Sequence, residues 1–205
     1  MGKYTRRAVA TLPLVIFLWY IIFGWAPLNF WLMMTGAQVI LVALSLGLRD
    51  GFFRDEGFRL SDLWLGVGSA AVLYGVFWLG DWLSGLIMPS SAQQIDAIYA
   101  LKEQGGALTL GLLMLFIIGP AEEIYWRGFL QRSLGESWGR ARAFWLVSLV
   151  YAGVHVVSGN LMLVVAAATA GFFWGWMYLR YGRLLPNIIS HALWDVAVFV
   201  LFPIQ

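Results

Sequence analysis

The sequence predicts an all-α fold: a polytopic transmembrane helical bundle of about seven spans with its N-terminus in the cytoplasm. Three observations predict it. Of 205 residues, 61% are hydrophobic and only 12% charged, against about 45–50% and about 25% in an average soluble domain. Mean hydropathy is +0.78, more apolar surface than one soluble domain of this size could hide from water. Twelve Trp, eight Tyr and fourteen Phe supply the rings that collect at membrane interfaces. A soluble enzyme, a disordered chain and a nucleic-acid binder are all poor readings of these figures. The net charge of +2 is better explained by basic loops beside a lipid bilayer than by an acidic partner. With no cysteine there is no disulfide framework, no thiolate nucleophile and no Cys-based zinc or iron–sulfur site.

Each span follows from an apolar run of nearly bilayer length. Lys3 to Arg7 and the run after them have the outline of a secretory signal peptide. That run continues to Trp25 and ends in Ala26-Pro27 without a small-x-small cleavage pattern, so Ala8–Trp25 reads as an uncleaved first span. Asn29–Leu48 is the second span and Leu60–Leu86 the third, which is long enough to tilt or to end in an interfacial stretch. The polar segment from Pro89 to Gly106 is expected to be an external loop with some helix. Ala107–Gln131, Ala143–Val157, Leu161–Leu179 and Leu184–Phe202 complete the set, the fifth span being short. No internal repeat or low-complexity tract divides residues 1–205, which read as a single membrane domain. Trp126, Trp145, Trp174, Trp176 and Trp194 are expected to face lipid or the interface. Gly171 and Gly175, four apart on the sixth span, are expected to permit a close helix contact within the chain.

Basic residues set the orientation. Lys3, Arg6 and Arg7 precede the first span; Arg49, Arg54 and Arg59 lie between the second and third. Arg132, Arg140 and Arg142 separate the fourth from the fifth, and Arg180 and Arg183 the sixth from the seventh. These are alternate loops. Of 13 basic residues only Lys102 falls in an opposite loop and Arg127 inside a span. The positive-inside rule then places the N-terminus in the cytoplasm and the C-terminus outside.

Ionisable groups within a bilayer are costly and usually mark function. Glu122, Glu123 and Arg127 occur in the fourth span, His155 in the fifth, and His191 and Asp195 in the seventh; Asp81, near the end of the third, reads as interfacial. Counted from the basic edge of each span, Glu122 lies roughly 15 Å deep, His155 about 20 Å, His191 about 12 Å and Asp195 about 18 Å. Three helices thus bring these groups to a similar depth near the middle of a core of roughly 30 Å. Glu123 and Arg127 are four apart and can neutralise each other on one helix face. Glu122 points about 100° away and can face a cavity. His191 with Asp195, and Tyr151 with His155, are also one turn apart. Such intramembrane groups would equally suit the proton relay of a proton-coupled transporter, although that class predicts inverted repeats and broken helices.

Glu-Glu-x-x-x-Arg, then aromatic-x-x-x-His, then His-x-x-x-Asp, in that order on successive apolar helices, resembles the CPBP intramembrane proteases, also called the CAAX prenyl-protease or Abi family. The resemblance covers Leu108 to Val198, the family's core (108–198), and leaves 1–106 as accessory spans and external loop. It implies hydrolysis of a peptide bond in a membrane-embedded or lipidated substrate: a leader peptide, a C-terminal sorting tail or a CaaX-type tail. By analogy Glu122 with His155 would activate a water. Glu123 and Arg127 would support the motif helix by their ion pair, and His191 with Asp195 would stabilise the oxyanion. Two departures from the family pattern stand out: Tyr151 replaces the commoner Phe, and Asp195 the frequent Asn. Ionised Asp cannot donate to an oxyanion, so Asp195 is expected to orient His191 by accepting its N–H.

The resemblance implies either no cofactor or a divalent metal such as zinc, for which Glu122, His155 and His191 could supply three protein ligands. The chain has no His-Glu-x-x-His, and the three ligands would come from three helices, so a glutamate-type water activation is favoured. A non-proteolytic scaffold or immunity protein of the same fold is the alternative within the family. Small size, short loops and the absence of an N-glycosylation sequon fit a prokaryotic plasma (inner) membrane.

Overall fold

The computed structural model describes residues 1–53 and 57–204. Arg54, one of the loop residues counted for orientation, lies outside the described residues. Eight helices are named here in chain order. They are α1 (Lys3–Trp25), α2 (Phe30–Leu48), α3 (Leu60–Ile87), α4 (Ser91–Tyr99), α5 (Ala107–Trp138), α6 (Arg140–Ser158), α7 (Leu161–Tyr181) and α8 (Leu185–Leu201). No strand occurs among the described residues. The all-α membrane bundle is therefore present. Six of these helices are long and apolar enough to cross a bilayer; α8 is apolar but only 17 residues long. At 1.5 Å per residue it reaches about 26 Å, short of a straight crossing of about 30 Å. The segment expected to combine loop and helix contains α4 followed by a 3₁₀ turn, Ala100–Gln104.

Local chemistry sets several helix ends. Asn29 Oδ1 accepts from the backbone N–H groups of Trp31 and Leu32 at 3.0 and 3.1 Å, starting α2. Asn160 Oδ1 does the same for Leu163 at 2.9 Å in α7, satisfying donors that a helix N-terminus leaves unpaired. Gly182 ends α7 at φ +64°, a left-handed cap that a Cβ would disfavour.

Most of the outer surface is apolar. Trp64, Trp78 and Trp82 stand exposed along α3, as do Leu32, Phe116 and Leu149 on other helices. Such a surface is solvated by lipid tails rather than by water.

α5 is surrounded by five partners. Its Tyr125 hydroxyl meets Thr11 of α1 at 2.8 Å, and its Arg127 reaches the Gly171 carbonyl of α7 at 2.9 Å. Contacts from Glu122 and Glu123, given below, add α2, α6 and α8. α8 lies along α3, and α6 along α7. The close α6–α7 contact is the one the paired glycines predict: a Cβ on Gly171 would come 2.8 Å from the Tyr151 ring, and one on Gly175 2.8 Å from Ser148 Oγ.

Three of the five tryptophans depart from their expected lipid-facing positions. Trp145 and Trp176 do face outward, but Trp126, Trp174 and Trp194 are buried. The reason is partner chemistry. Trp174 Nε1–H donates to Ser190 Oγ at 3.0 Å, Trp126 stacks edge-on against Trp19 and Tyr151, and Trp194 meets Phe77 and Trp174. Aromatic neighbours within the bundle offer the contacts that lipid would otherwise supply.

Candidate active site

The acidic pair sits where α5 changes pitch. Residues Met114–Ile118 and Ile124–Gln131 are wound as π-helix on either side of Gly119–Glu123; such widened turns are frequent at functional sites. Gly119 permits the approach of α5 to α8: a Cβ there would lie 2.9 Å from Ala192 Cα. This contact brings the two glutamates beside His191, one residue before Ala192.

Glu123 is fully buried and serves several donors at once. Its Oε1 accepts from Arg127 Nη1 at 2.7 Å and from His191 Nδ1 at 2.8 Å; its Oε2 accepts from Asn187 Nδ2 at 3.2 Å. The expected Glu123–Arg127 ion pair is present and extends further. Arg127 continues to the Gly171 carbonyl, and Asn187 also donates to the Trp174 carbonyl at 2.7 Å. The Trp174 ring stacks on the His191 imidazole with centroids 3.7 Å apart and planes 18° from parallel. His191 is thus fixed by an anion at Nδ1 and an aromatic face beneath it.

Glu122 has different company. Its Oε1 accepts from Gln38 Nε2 of α2 at 3.1 Å, and its Oε2 from the Tyr151 hydroxyl of α6 at 2.6 Å. It is 3% exposed, and no cation within salt-bridge distance is recorded for it among the described residues. Two neutral donors leave a carboxylate with further acceptor sites. His155 lies one turn beyond Tyr151. Its Nδ1–H donates to the Tyr151 carbonyl at 2.7 Å, so its Nε2 is the acceptor, and Trp19 Nε1–H of α1 donates to it at 3.2 Å. Asp195 Oδ1 stands 3.6 Å from His191 Nε2, beyond hydrogen-bond range. The orienting partner of His191 in this arrangement is Glu123, on the other ring nitrogen.

Glu122, Tyr151, His155, His191 and Asp195 border one cavity of about 350 Å³, within the size range of small-molecule and peptide-side-chain sites. The rest of its wall is largely apolar, with Phe30 and Trp31 from α2, Phe77 from α3 and Ile95 from α4. Asp81, expected at the interface, borders it from α3. The site therefore offers a carboxylate with spare acceptor sites and two imidazoles beside an apolar chamber.

The donor set does not fit a resident metal as it stands. A zinc ion held by Glu122, His155 and His191 needs a lone pair from each imidazole, and that of His155 accepts the Trp19 N–H. Among the described residues no group of three His, Cys, Asp or Glu side chains converges on a common point.

Sequence spacing did not point to Gln38, Trp19 or Asn187. Gln38 could have been found, as a lone amide in the middle of an apolar span. Asn187 shares a helix face with His191, four residues on. Nothing separates Trp19 from the eleven other tryptophans until the fold is seen.

Residues 104–197 match the family profile described as "Rce1-like: Type II CAAX prenyl endopeptidase Rce1-like". This is the family that the Glu-Glu-x-x-x-Arg, Tyr-x-x-x-His and His-x-x-x-Asp motifs resemble, and the matched stretch contains all three. No curated protein and no solved structure matches the chain.

Proposed function

From the match of residues 104–197 to the type II CAAX prenyl endopeptidase profile and the site geometry, we propose that this chain is an integral-membrane endopeptidase that hydrolyses a peptide bond by glutamate-activated water. The substrate is membrane-associated: a leader peptide, a C-terminal sorting tail or a CaaX-type tail. The observation that carries the reading is the shared cavity, where a carboxylate with spare acceptor sites and two imidazoles meet an apolar wall able to hold a hydrophobic segment.

In this mechanism Glu122 takes a proton from water while the water oxygen attacks the scissile carbonyl carbon. Gln38 and Tyr151 hold the carboxylate still through one donor on each oxygen. For His155 to accept the water's other hydrogen at Nε2, Trp19 Nε1–H must first give up that lone pair. The oxyanion meets His191 Nε2. With Nδ1–H held by Glu123, a proton on Nε2 makes an imidazolium whose charge Glu123 and Asp195 balance, a strong donor in a water-poor site. Collapse of the tetrahedral intermediate breaks the C–N bond, and the proton carried by Glu122 passes to the leaving amine. One water is consumed, and one carboxylate and one amine are formed. The cytoplasmic N-terminus and a prokaryotic plasma membrane location belong to the same proposal.

A terminus-resolved mass-spectrometric survey of host membrane proteins tests it, comparing wild type with Glu122→Gln at matched protein levels. The expected result is a truncated protein whose new terminus occurs only with wild type. Identical terminus lists, alongside a phenotype on deletion of the chain, would refute proteolysis and favour the scaffold or proton-coupled transport.

A further inference from the structure

A second cavity, of about 460 Å³, lies apart from the catalytic residues at the end of the bundle where the basic loops gather. Among the described residues its wall includes Arg49, Arg132, Arg140 and Arg180 with Tyr178 and Tyr181, and the carboxylate of Glu136. Four helices converge on it. Arg49 ends α2, Arg132 and Glu136 lie in the last turns of α5, Arg140 opens α6, and Arg180 and Tyr181 close α7.

Glu136 is already engaged. Arg49 is 6% exposed and donates to Glu136 Oε1 and, at 3.1 Å, to Ser133 Oγ. Two further guanidinium groups meet partners without full charge. Arg140 donates to the Leu179 carbonyl, and Arg180 lies 5.6 Å from the Tyr181 ring centroid. Backbone carbonyls at a helix C-terminus carry only a fraction of an electron charge. Arg140 and Arg180 therefore keep their positive charge available on side chains whose forked geometry suits phosphate oxygens.

Lipid contact begins beside it. Trp176, one turn before Arg180, is 49% exposed and Tyr181 44%, with ring centroids 6.4 Å apart. An outward-facing Trp–Tyr pair next to arginines is the pattern of a helix surface crossing the headgroup level. A ligand bound here can place an anionic head among the arginines and an apolar tail along α7.

We propose that this pocket is a phosphate-binding site that takes the head group of an anionic phospholipid, with the acyl chains lying against Trp176 and the lipid-facing side of α7. Basic pockets between spanning helices bind acidic head groups in this way. The site does not depend on the catalytic residues, so its test does not depend on activity.

Native mass spectrometry of the full chain in detergent reads it, with phosphatidylglycerol, phosphatidylcholine and inorganic phosphate titrated separately. Phosphatidylglycerol is expected to bind in preference to the zwitterionic lipid and to free phosphate. The double variant R140Q/R180Q should weaken phosphatidylglycerol binding by about thirtyfold, the loss expected from two arginines near the surface. R6Q/R142Q removes equal charge outside the pocket and should leave binding within about twofold. Equal losses from both double variants would show diffuse attraction and overturn the site. Phosphatidylcholine binding as tightly as phosphatidylglycerol would overturn the recognition of charge. Phosphate retained where phosphatidylglycerol is not would overturn the lipid assignment.

Discussion

Glu122 and Glu123 are adjacent in the chain and differ in what they can do because of what surrounds each. Glu123 holds Arg127 and His191, so its charge is consumed in structure; Glu122 meets only amide and phenol donors. Glu123→Gln should cost about 3–5 kcal/mol, because it leaves the buried Arg127 charge uncompensated. Glu123→Gln/Arg127→Met should recover much of that stability without recovering activity, since His191 still lacks its anion. Thermal melting in detergent, read beside turnover, checks both. Glu122→Gln should leave melting nearly unchanged and lower turnover by about 10²–10⁴-fold, the usual contribution of a general base. Gln38→Leu and Trp19→Phe remove donors to Glu122 and His155. Gln38→Leu should reduce kcat with little change in KM, because it perturbs the base and not the binding wall. Periodicity and chemistry made Glu122, Glu123, Arg127, His155, His191 and Asp195 visible in the sequence. Gln38 and Trp19 act on that set from helices more than eighty residues away, a distance that no local spacing encodes.

At the scale of helices, the site depends on α5 and α8 approaching closely at Gly119. Gly119→Ala puts a Cβ 2.9 Å from the Ala192 backbone, and overpacking of this kind costs about 1–3 kcal/mol. Its activity loss should exceed what the melting shift implies, because the displaced element carries Glu122 and Glu123 together. The helix-rich segment 89–106 contributes Ile95, Ile98 and Tyr99 to the cavity wall. Exchanging it for an unrelated polar helix should change which substrates are cut while sparing the fold; unchanged substrate choice would remove this segment from recognition. The six long apolar helices were legible because apolar runs of bilayer length have few other uses. The widened π turns around Glu122 were not. They arise from how α5 meets its five partners rather than from composition. The three buried tryptophans escaped for a related reason: an apolar helix offers no polar face to say which side meets lipid and which meets protein.

For the molecule as a whole, the halves are interdependent. The motifs lie within residues 104–197, yet the first two helices supply Gln38 and Trp19, and α1 and α2 add Thr11 and Arg49 contacts to α5. Residues 107–205 expressed alone should therefore be inactive, and co-expression with residues 1–106 should restore turnover. The chain contains no cysteine, so single substitutions report orientation cleanly: R6C should react with an impermeant thiol reagent only from the cytoplasmic side, and E103C only from the opposite side. The most direct measurement uses purified wild type and Glu122→Gln in liposomes with a substrate found by the terminus survey, in ¹⁸O-enriched water. Wild type is expected to place ¹⁸O in the new C-terminal carboxylate, and Glu122→Gln to give almost no product. Product formed at an undiminished rate by Glu122→Gln would contradict glutamate-activated hydrolysis.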